Sequence, residues 1–423
     1  MSNGRSPGAK FGLGLSEDVD LAGFEEETRP VGIAPEPSPR TPWEWARRNL
    51  LSSPLNILLT LVSGTVTALI AYQSLHFVFV SAEWEVVQVN MRGYMIGGFP
   101  IEEVWRVWTS AYLVASLAGV SLGASAHRLP LSTRRMAVGV AATMAAAVIV
   151  LYTVQTALVR GLVGGLVVMV VCGALAGRLL GRRARRALIA GWIAAFPVII
   201  IIVRGFGGVA PSEWEGFFFN LIAATVGIVA SFPLGLLLAI GRRSDLPAIR
   251  FASVGFIELF RGVPLVAWLI FSKFVVDLLL PPQMVIPDII KALLVMTFFS
   301  AAYVGEIVRG GLQGVPQGQY EAARALGLST SRMMALVVLP QALRSTIPAM
   351  ISHFISLFKD TSLFTAIEVT DLLAAARRSA SSLEYFGKDM ETLLFAGLIF
   401  WAVAFSMSRW SQRLEVRLGV GER

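Results

Sequence analysis

Cysteine and charged residues are both scarce in this chain. Cys172 is the only cysteine among 423 residues, so no disulfide can form within the chain and no zinc site can be built from cysteines. Only 15% of the residues are charged, whereas a soluble domain contains about a quarter. These shortages exclude a disulfide framework and argue against an ordinary soluble domain.

Catalytic and nucleotide-binding patterns are also missing. The histidines, His76, His127 and His353, are scattered, and no Gly-x-x-x-x-Gly-Lys-Ser/Thr sequence occurs. We therefore expect no enzyme activity and no cofactor in this chain. If ATP drives its function, ATP and Mg must be held by a separate partner ATPase. His353 is expected to be a hydrogen-bonded packing residue rather than a ligand.

Apolar residues dominate instead. They make up 55% of the chain, and many runs reach the roughly 20 residues that cross a bilayer core. The sequence therefore predicts an all-α polytopic membrane protein with about 10 transmembrane helices. These predicted spans lie at about residues 55–80, 109–126, 136–157, 161–179, 187–203, 217–240, 253–279, 288–308, 345–367 and 392–408.

The arginines orient these spans. They cluster at residues 182–186, at Arg242–Arg243 and after residue 408, which by the positive-inside rule places both termini in the cytoplasm. The net charge of +8 is then explained by cytoplasmic turns that contact anionic membrane lipid, and no nucleic acid is needed as a partner. Residues 1–42, rich in Gly, Pro and acids, are predicted to form a disordered cytoplasmic tail.

Two short helices are predicted between the eighth and ninth spans. Residues Tyr320–Leu328 are Ala-rich and favour a helix, which Gly327 can end with a positive φ. Ser329 is a good cap for a second helix that would run to about Leu339, before Pro340. Together they would form a compact projection at the membrane edge, called the knob below.

The knob resembles the EAA loop of ABC-importer permeases. The matching positions are Glu321, Ala322, Ala323, Gly327, Leu339 and Pro340. Only the isoleucine of that pattern is changed, to Val337. In that family the loop docks into a groove on a separate ATPase subunit, so the resemblance implies an ATPase-coupling role for these residues.

The resemblance extends over residues 216–418. This region is similar to the core of permeases in the polar amino-acid family (glutamate, glutamine, aspartate and asparagine type). The matching stretches besides the knob are residues 257–264, 302–311, 318–323 and 359–363. The C-terminal five spans would form the permease domain. Residues 43–204 would form an N-terminal membrane extension of about five spans, and its start, Arg47–Pro54, looks like that of the longer members.

The resemblance implies a permease subunit of an ATP-driven importer of polar L-amino acids in the bacterial inner membrane. Its implied partners are an ABC ATPase, a periplasmic solute-binding protein and a second permease, identical or different. The alternative is an ion-coupled secondary amino-acid transporter that works alone. A membrane enzyme is disfavoured, because no catalytic set is found.

Charges inside the spans mark two further candidate sites. Lys359 and Asp360 lie about 20 Å along the ninth span from Arg344, where charges either pair or line a water-filled path. With Thr361 and Ser362 they offer both charges that a zwitterion needs, although mutual neutralisation would also explain them. The other candidates are the pairs Glu258–Arg261 and Glu306–Arg309, whose members share a helix face and are assigned a gate-linking or structural role. Gly262 and Pro264 should break the seventh span.

Overall fold

The computed structural model describes residues 41–126, 157–281 and 283–418, which contain helices and no β-strand. The tail predicted for residues 1–42 lies almost wholly outside these ranges, and so does nearly all of the third predicted span, 136–157. The α-helices, in order, are α1 Pro42–Asn49, α2 Pro54–His76, α3 Glu85–Val89, α4 Met91–Ile96, α5 Val104–Ala126, α6 Ala157–Arg204, α7 Gly216–Gly241, α8 Pro247–Gly262, α9 Leu265–Phe274, α10 Val276–Leu279, α11 Asp288–Gln313, α12 Gln317–Ala325, α13 Thr330–Met333, α14 Leu339–Asp360, α15 Leu372–Ala380 and α16 Asp389–Leu418.

Within the described residues, eight helical segments are long and apolar enough to span a membrane, and nine if one bent pair counts as a single span. The all-α membrane fold is confirmed, but the predicted total of about ten is not. The fourth and fifth predicted spans fall within one helix, α6, which departs from helical geometry at Gly181 with φ +52°. The second span starts earlier than predicted, at Ile101.

The seventh predicted span, residues 253–279, is broken into two helices. α8 and α9 meet at an angle of 99°. Val263 is extended at the break, as expected for a residue that precedes proline. The break at Gly262 and Pro264 is thus confirmed. With 16 and 10 residues, neither half is long enough to cross a bilayer alone.

The first compact unit ends at Ala82, and its described part contains α1 and α2. The side chain of Ser53 accepts a hydrogen bond from the amide of Asn56, and Pro54 occupies the first turn, where its missing N–H costs nothing. No residue of α2 is buried within this unit. A 23-residue apolar helix with this exposure is suited to a lipid environment.

The second compact unit begins at Glu83. In it α5 packs against both halves of α6, and small residues lie at the contact with the first half. Tyr112 donates to the Leu162 carbonyl, and further along α5 a Cβ on Gly123 would lie 2.0 Å from the Ala174 carbonyl oxygen. The first half of α6 therefore runs parallel to α5. The second half runs antiparallel to α5, since Ser121 bonds Trp192 and Arg106 donates to Ile202.

The C-terminal half, from α7 to α16, is built around α11. Its buried residues recur every three or four positions and face α7, α14 and α9. Gly235 lets α7 approach closely, because a Cβ there would lie 2.7 Å from the Cβ of Val304. Gly311 does the same for α14, where a Cβ would meet Thr346 at 2.4 Å. Lipid provides no hydrophobic driving force for helix association, so membrane helices associate by the close van der Waals packing that small residues allow.

Part of the N-terminal region, from residue 83 onward, is buried in the same hydrophobic core as α7 and α11. Phe99, Val203 and Trp214 are buried in the same hydrophobic cluster as Phe219 and Met296. α3 and α4 pack on α15 and α16 through a second cluster that includes Val86 and Tyr94. The described residues between 83 and 204 and the C-terminal half are therefore joined by common apolar cores.

Candidate functional site

The knob consists of α12 and α13, joined at Gly327. Gly327 has φ +70°, which confirms the predicted left-handed residue. The amide of Leu328 donates to Ala323 and that of Gly327 to Arg324, the paired bonds of a Schellman cap. Ser329 is at the N-cap of α13, but its side chain makes no capping bond. The turn is thus fixed by backbone geometry that a residue with a Cβ resists.

The sequence predicted that the second helix ends before Pro340, and this is wrong. α13 continues through a π-helical turn, Met334–Val338, into α14, and Pro340 lies in the first turn of α14. In the π turn the Leu339 amide donates to the carbonyl of Met334, five residues back. The wider turn relieves the clash that proline causes with the preceding turn of a regular helix.

The knob has one buried and one exposed face. Tyr320, Ala323 and Met333 are buried in a cluster with residues of α11 and α14. Glu321 and Ala322 are exposed, and Leu326 and Leu336 project with 81% and 69% of their surface exposed. Exposed apolar side chains on a rigidly held projection are typical of a protein-docking surface.

Arg243, at the end of α7, fastens the knob to the membrane helices. Its Nη1 atom lies 3.2 Å from the Tyr320 hydroxyl and 3.3 Å from the carbonyl oxygen of Leu312. The Tyr320 hydroxyl donates to the same carbonyl at 3.1 Å. From the sequence, Arg243 served only to indicate the cytoplasmic side of the membrane.

The predicted gate residues form one ion cluster, but with different partners. Glu306 bonds Arg309 as expected and also lies 3.0 Å from Arg242 and 3.8 Å from Arg261. Glu258 is paired with Arg242 at 3.3 Å, and no ion pair between Glu258 and Arg261 is found in the described part of the chain. Arg242, which the sequence did not single out, therefore links α7, α8 and α11.

A polar contact chain continues from this cluster into the span. The Arg261 guanidinium lies 5.4 Å from the ring centre of Tyr303, which stacks on His353. The His353 Nε2 atom is 3.0 Å from the Ser300 hydroxyl, which also bonds Ser231. His353 is thus the hydrogen-bonded packing residue that the sequence predicted.

The four predicted substrate-path residues lie together at the end of α14 but divide into two pairs. Lys359 is exposed and Asp360 half-buried, and neither takes part in an ion pair within the described ranges. Thr361 is buried and bonds the Phe358 carbonyl, while Ser362 bonds that of Lys359. The two hydroxyls therefore bond backbone carbonyls, whereas the two charges form no ion pair in that part of the chain.

A buried polar hub beside these residues was missed by the sequence reasoning. Asp371 caps α15 by accepting the Ala374 amide at 2.9 Å, and it also accepts the Thr365 hydroxyl at 2.7 Å. Asn220 of α7 donates to Asp371 and Thr361 and accepts the Leu372 amide. Burial raises the pKa of the Asp371 carboxyl, against the effect of these hydrogen bonds. A Thr-Asp pair before an Ala-rich helix could have indicated the cap.

Comparison with known proteins gives a consistent result. A family described as "Binding-protein-dependent transport system inner membrane component" matches residues 231–420. Over 426 residues the chain is 32% identical to the glutamate/glutamine/aspartate/asparagine transport system permease protein BztC of Rhodobacter capsulatus, covering 91% of this chain and 96% of that protein.

Two further similarities concern the permease half. The chain is 43% identical over 242 residues to the inner membrane amino-acid ABC transporter permease protein YhdY of Escherichia coli, covering 56% of this chain and 66% of that protein. A solved amino acid ABC transporter with histidines aligns at 28% identity with a TM-score of 0.44, covering 48% of this chain and 92% of that one.

The ion cluster predicts energetic coupling between Arg242 and Glu306. We expect Arg242→Gln and Glu306→Gln each to lower the stability of the detergent-solubilised protein, because each leaves a partly buried partner with less compensation. The double variant should lose less than the sum of the two, by about 1 kcal/mol. Thermal unfolding of the four proteins measures this difference. Arg250→Gln, an exposed position on α8, is the control, and additivity of the Arg242 and Glu306 changes would contradict the coupling.

Proposed function

The chain belongs to the family of binding-protein-dependent transport inner membrane components, and from this premise we propose that it is a permease subunit importing polar L-amino acids. As a permease of this family it is a transport component of the membrane rather than an enzyme. The relatives favour this function over an ion-coupled transporter, since they are named as ABC permeases or transport-system permeases.

The observation that supports ATP-driven coupling most directly is the architecture of the knob. A Schellman-capped turn, buried on one side and exposing Leu326 and Leu336 on the other, has the form of a docking element for a separate ATPase. ATP and Mg would then be held by that partner. Arg243 and Arg242 place the knob beside the ion cluster, so a displacement of docked ATPases would reach α8 and α11.

The substrate class is proposed from the relatives and from the charges at the end of α14. BztC is named for glutamate, glutamine, aspartate and asparagine. Lys359 and Asp360 offer one cationic and one anionic group without an ion pair of their own in the described ranges, which suits a zwitterion. A periplasmic solute-binding protein would deliver the amino acid. A second permease, identical or different, would complete the path.

The proposed orientation places the knob and both termini in the cytoplasm. In a Cys172→Ala background, cysteines at Val89 and Gln283 should react with an impermeant thiol reagent added outside. Cysteines at Ser244 and Ser329 should react only after permeabilisation, because they lie at the arginine-rich side. Labelling of intact cells measures this, and external labelling at Ser329 would contradict the proposed docking of a cytoplasmic ATPase.

Gly327→Val tests the coupling function. A β-branched residue at φ +70° strains the knob by about 1–2 kcal/mol, so the Schellman cap should be lost. We expect the protein to insert into the membrane but to lose the co-purified ATPase and amino-acid uptake. Gly310→Val is the control, because a Cβ at Gly310 meets nothing within 4 Å and its φ is not positive. Normal ATPase retention with normal uptake in Gly327→Val would remove the coupling role.

Exchanging the charges at the end of α14 tests the substrate path. We expect Lys359→Asp combined with Asp360→Lys to abolish uptake while the ATPase stays bound, because a substrate would meet its charge partners in reversed positions. The same exchange at Lys388–Asp389, an identical dipeptide in which Lys388 pairs with Glu83, is the control for reversing two charges outside the path. Uptake of labelled amino acid and co-purification are measured together. Wild-type uptake by the Lys359–Asp360 exchange would return both residues to a structural role.

A further inference from the structure

A cavity of about 380 Å³ that contains charged side chains lies where the N-terminal region meets the permease half. It is lined by Gly93 of α4 and the residues that flank this helix, by Glu215 and Thr370, and by Arg378 of α15. Glu215 directly precedes α7, whose opposite end carries Arg242 and Arg243. Since α7 is 26 residues long, about 39 Å, the cavity lies at the membrane face opposite the knob. We call it the outer pocket.

The outer pocket contains one carboxylate and one guanidinium that do not form an ion pair with each other in the described residues. Glu215 Oε2 accepts a hydrogen bond from the Gly98 amide at 2.7 Å. Arg378 Nη2 donates to the Thr370 hydroxyl at 2.8 Å. Each charge is held in place by one neutral partner. A guanidinium has five N–H donors and a carboxylate has two oxygens, so both retain capacity for a ligand.

The glycine-rich wall of the pocket provides the space. Gly97 has φ +55°, and a Cβ there would lie 2.1 Å from the Cβ of Glu215, so only glycine admits this carboxylate. A Cβ on Gly93, by contrast, would meet nothing within 4 Å. The volume is at the lower end of the range for small-molecule sites, which suits a ligand of few atoms rather than a protein segment.

The pocket is also connected to the proposed substrate path. The carbonyl of Thr370 accepts the Gly216 amide at 2.8 Å. Thr370 is followed by Asp371, which bonds Asn220, and Asn220 bonds Thr361 beside Asp360. A ligand held by Arg378 and Glu215 would therefore lie beside Thr370, which directly precedes the Asp371 of the hub that positions the end of α14.

We propose that the outer pocket binds a free zwitterionic α-amino acid. Arg378 binds the carboxylate through its planar donors, and Glu215 binds the ammonium group. The choice of an amino acid rests on the proposed function, whereas the charge arrangement is independent of it. The site is separate from Lys359 and Asp360, so it holds a second molecule at the outer entrance.

The test is equilibrium binding of labelled glutamate and glutamine to the purified full chain in nanodiscs, without a solute-binding protein. Loss of one charge-assisted contact should weaken binding about tenfold or more in Arg378→Gln and in Glu215→Gln. Arg377→Gln and Glu213→Gln are the matched controls, since neither residue lines the pocket, and both should bind like the wild type.

A second variant keeps the test valid if the charge changes perturb folding. Gly93→Leu fills the pocket from its open wall and should abolish binding while the melting temperature is maintained. The Lys359–Asp360 exchange should remove only the molecule bound at the path and leave the one held at the outer pocket. Absence of binding to the wild type, or equal weakening in all four single variants, would overturn the proposal.

The remaining outcomes separate this site from the transport function. Binding that is lost in the Lys359–Asp360 exchange but unaffected by Arg378→Gln would overturn the outer pocket and assign the ligand to the path. Normal uptake by the assembled transporter without binding at the pocket would overturn this inference alone. Binding at the pocket without uptake of any amino acid would support it and count against the proposed function. Capture of a solute-binding protein that depends on Arg378, without binding of free amino acid, would overturn it in favour of protein docking.

Discussion

The arrangement of the permease half depends on how one carboxylate near the knob end of α11 is neutralised. Glu306 is contacted by guanidinium groups from α7, α8 and its own helix. A carboxylate left alone at this depth would be costly, so helices that supply its partners are held at a fixed distance. Arg242 and Arg243 are adjacent in sequence, yet one reaches Glu306 and the other the knob. The cluster and the knob therefore cannot move independently of the end of α7.

Much of the fold could be predicted from hydropathy and arginine distribution, because both act over whole segments. The starts of α2, α7, α11 and α16 match the predicted spans to within three residues, whereas α11 and α16 run five and ten residues beyond the predicted ends. The break at Gly262–Pro264 was visible as local backbone chemistry. Its 99° angle was not, since the direction of the chain after a break is set by packing against distant helices.

The candidate site was predictable where a residue acts through its own backbone and hidden where it acts through distant partners. Gly327 is of the first kind, because positive φ is a local property. Arg242 and Asn220 are of the second kind. Asn220 is an isolated polar residue in an apolar helix, and its partners Thr361 and Asp371 are more than 140 residues away. Pro340 led to a wrong prediction, that the helix ends before it. The π turn that accommodates this proline has no sequence signal that we used.

The unbroken helical path from Thr330 to Ile367 has a mechanical consequence. It begins in the knob at one membrane face and ends beside Lys359 and Asp360 towards the other. α14 alone is 22 residues long, about 33 Å, and it is in tight contact with α11 at Gly311. A tilt of this helix would pivot about that contact. The far end lies about 21 Å beyond the crossing at Thr346, so a tilt of about 5° would displace it by about 2 Å.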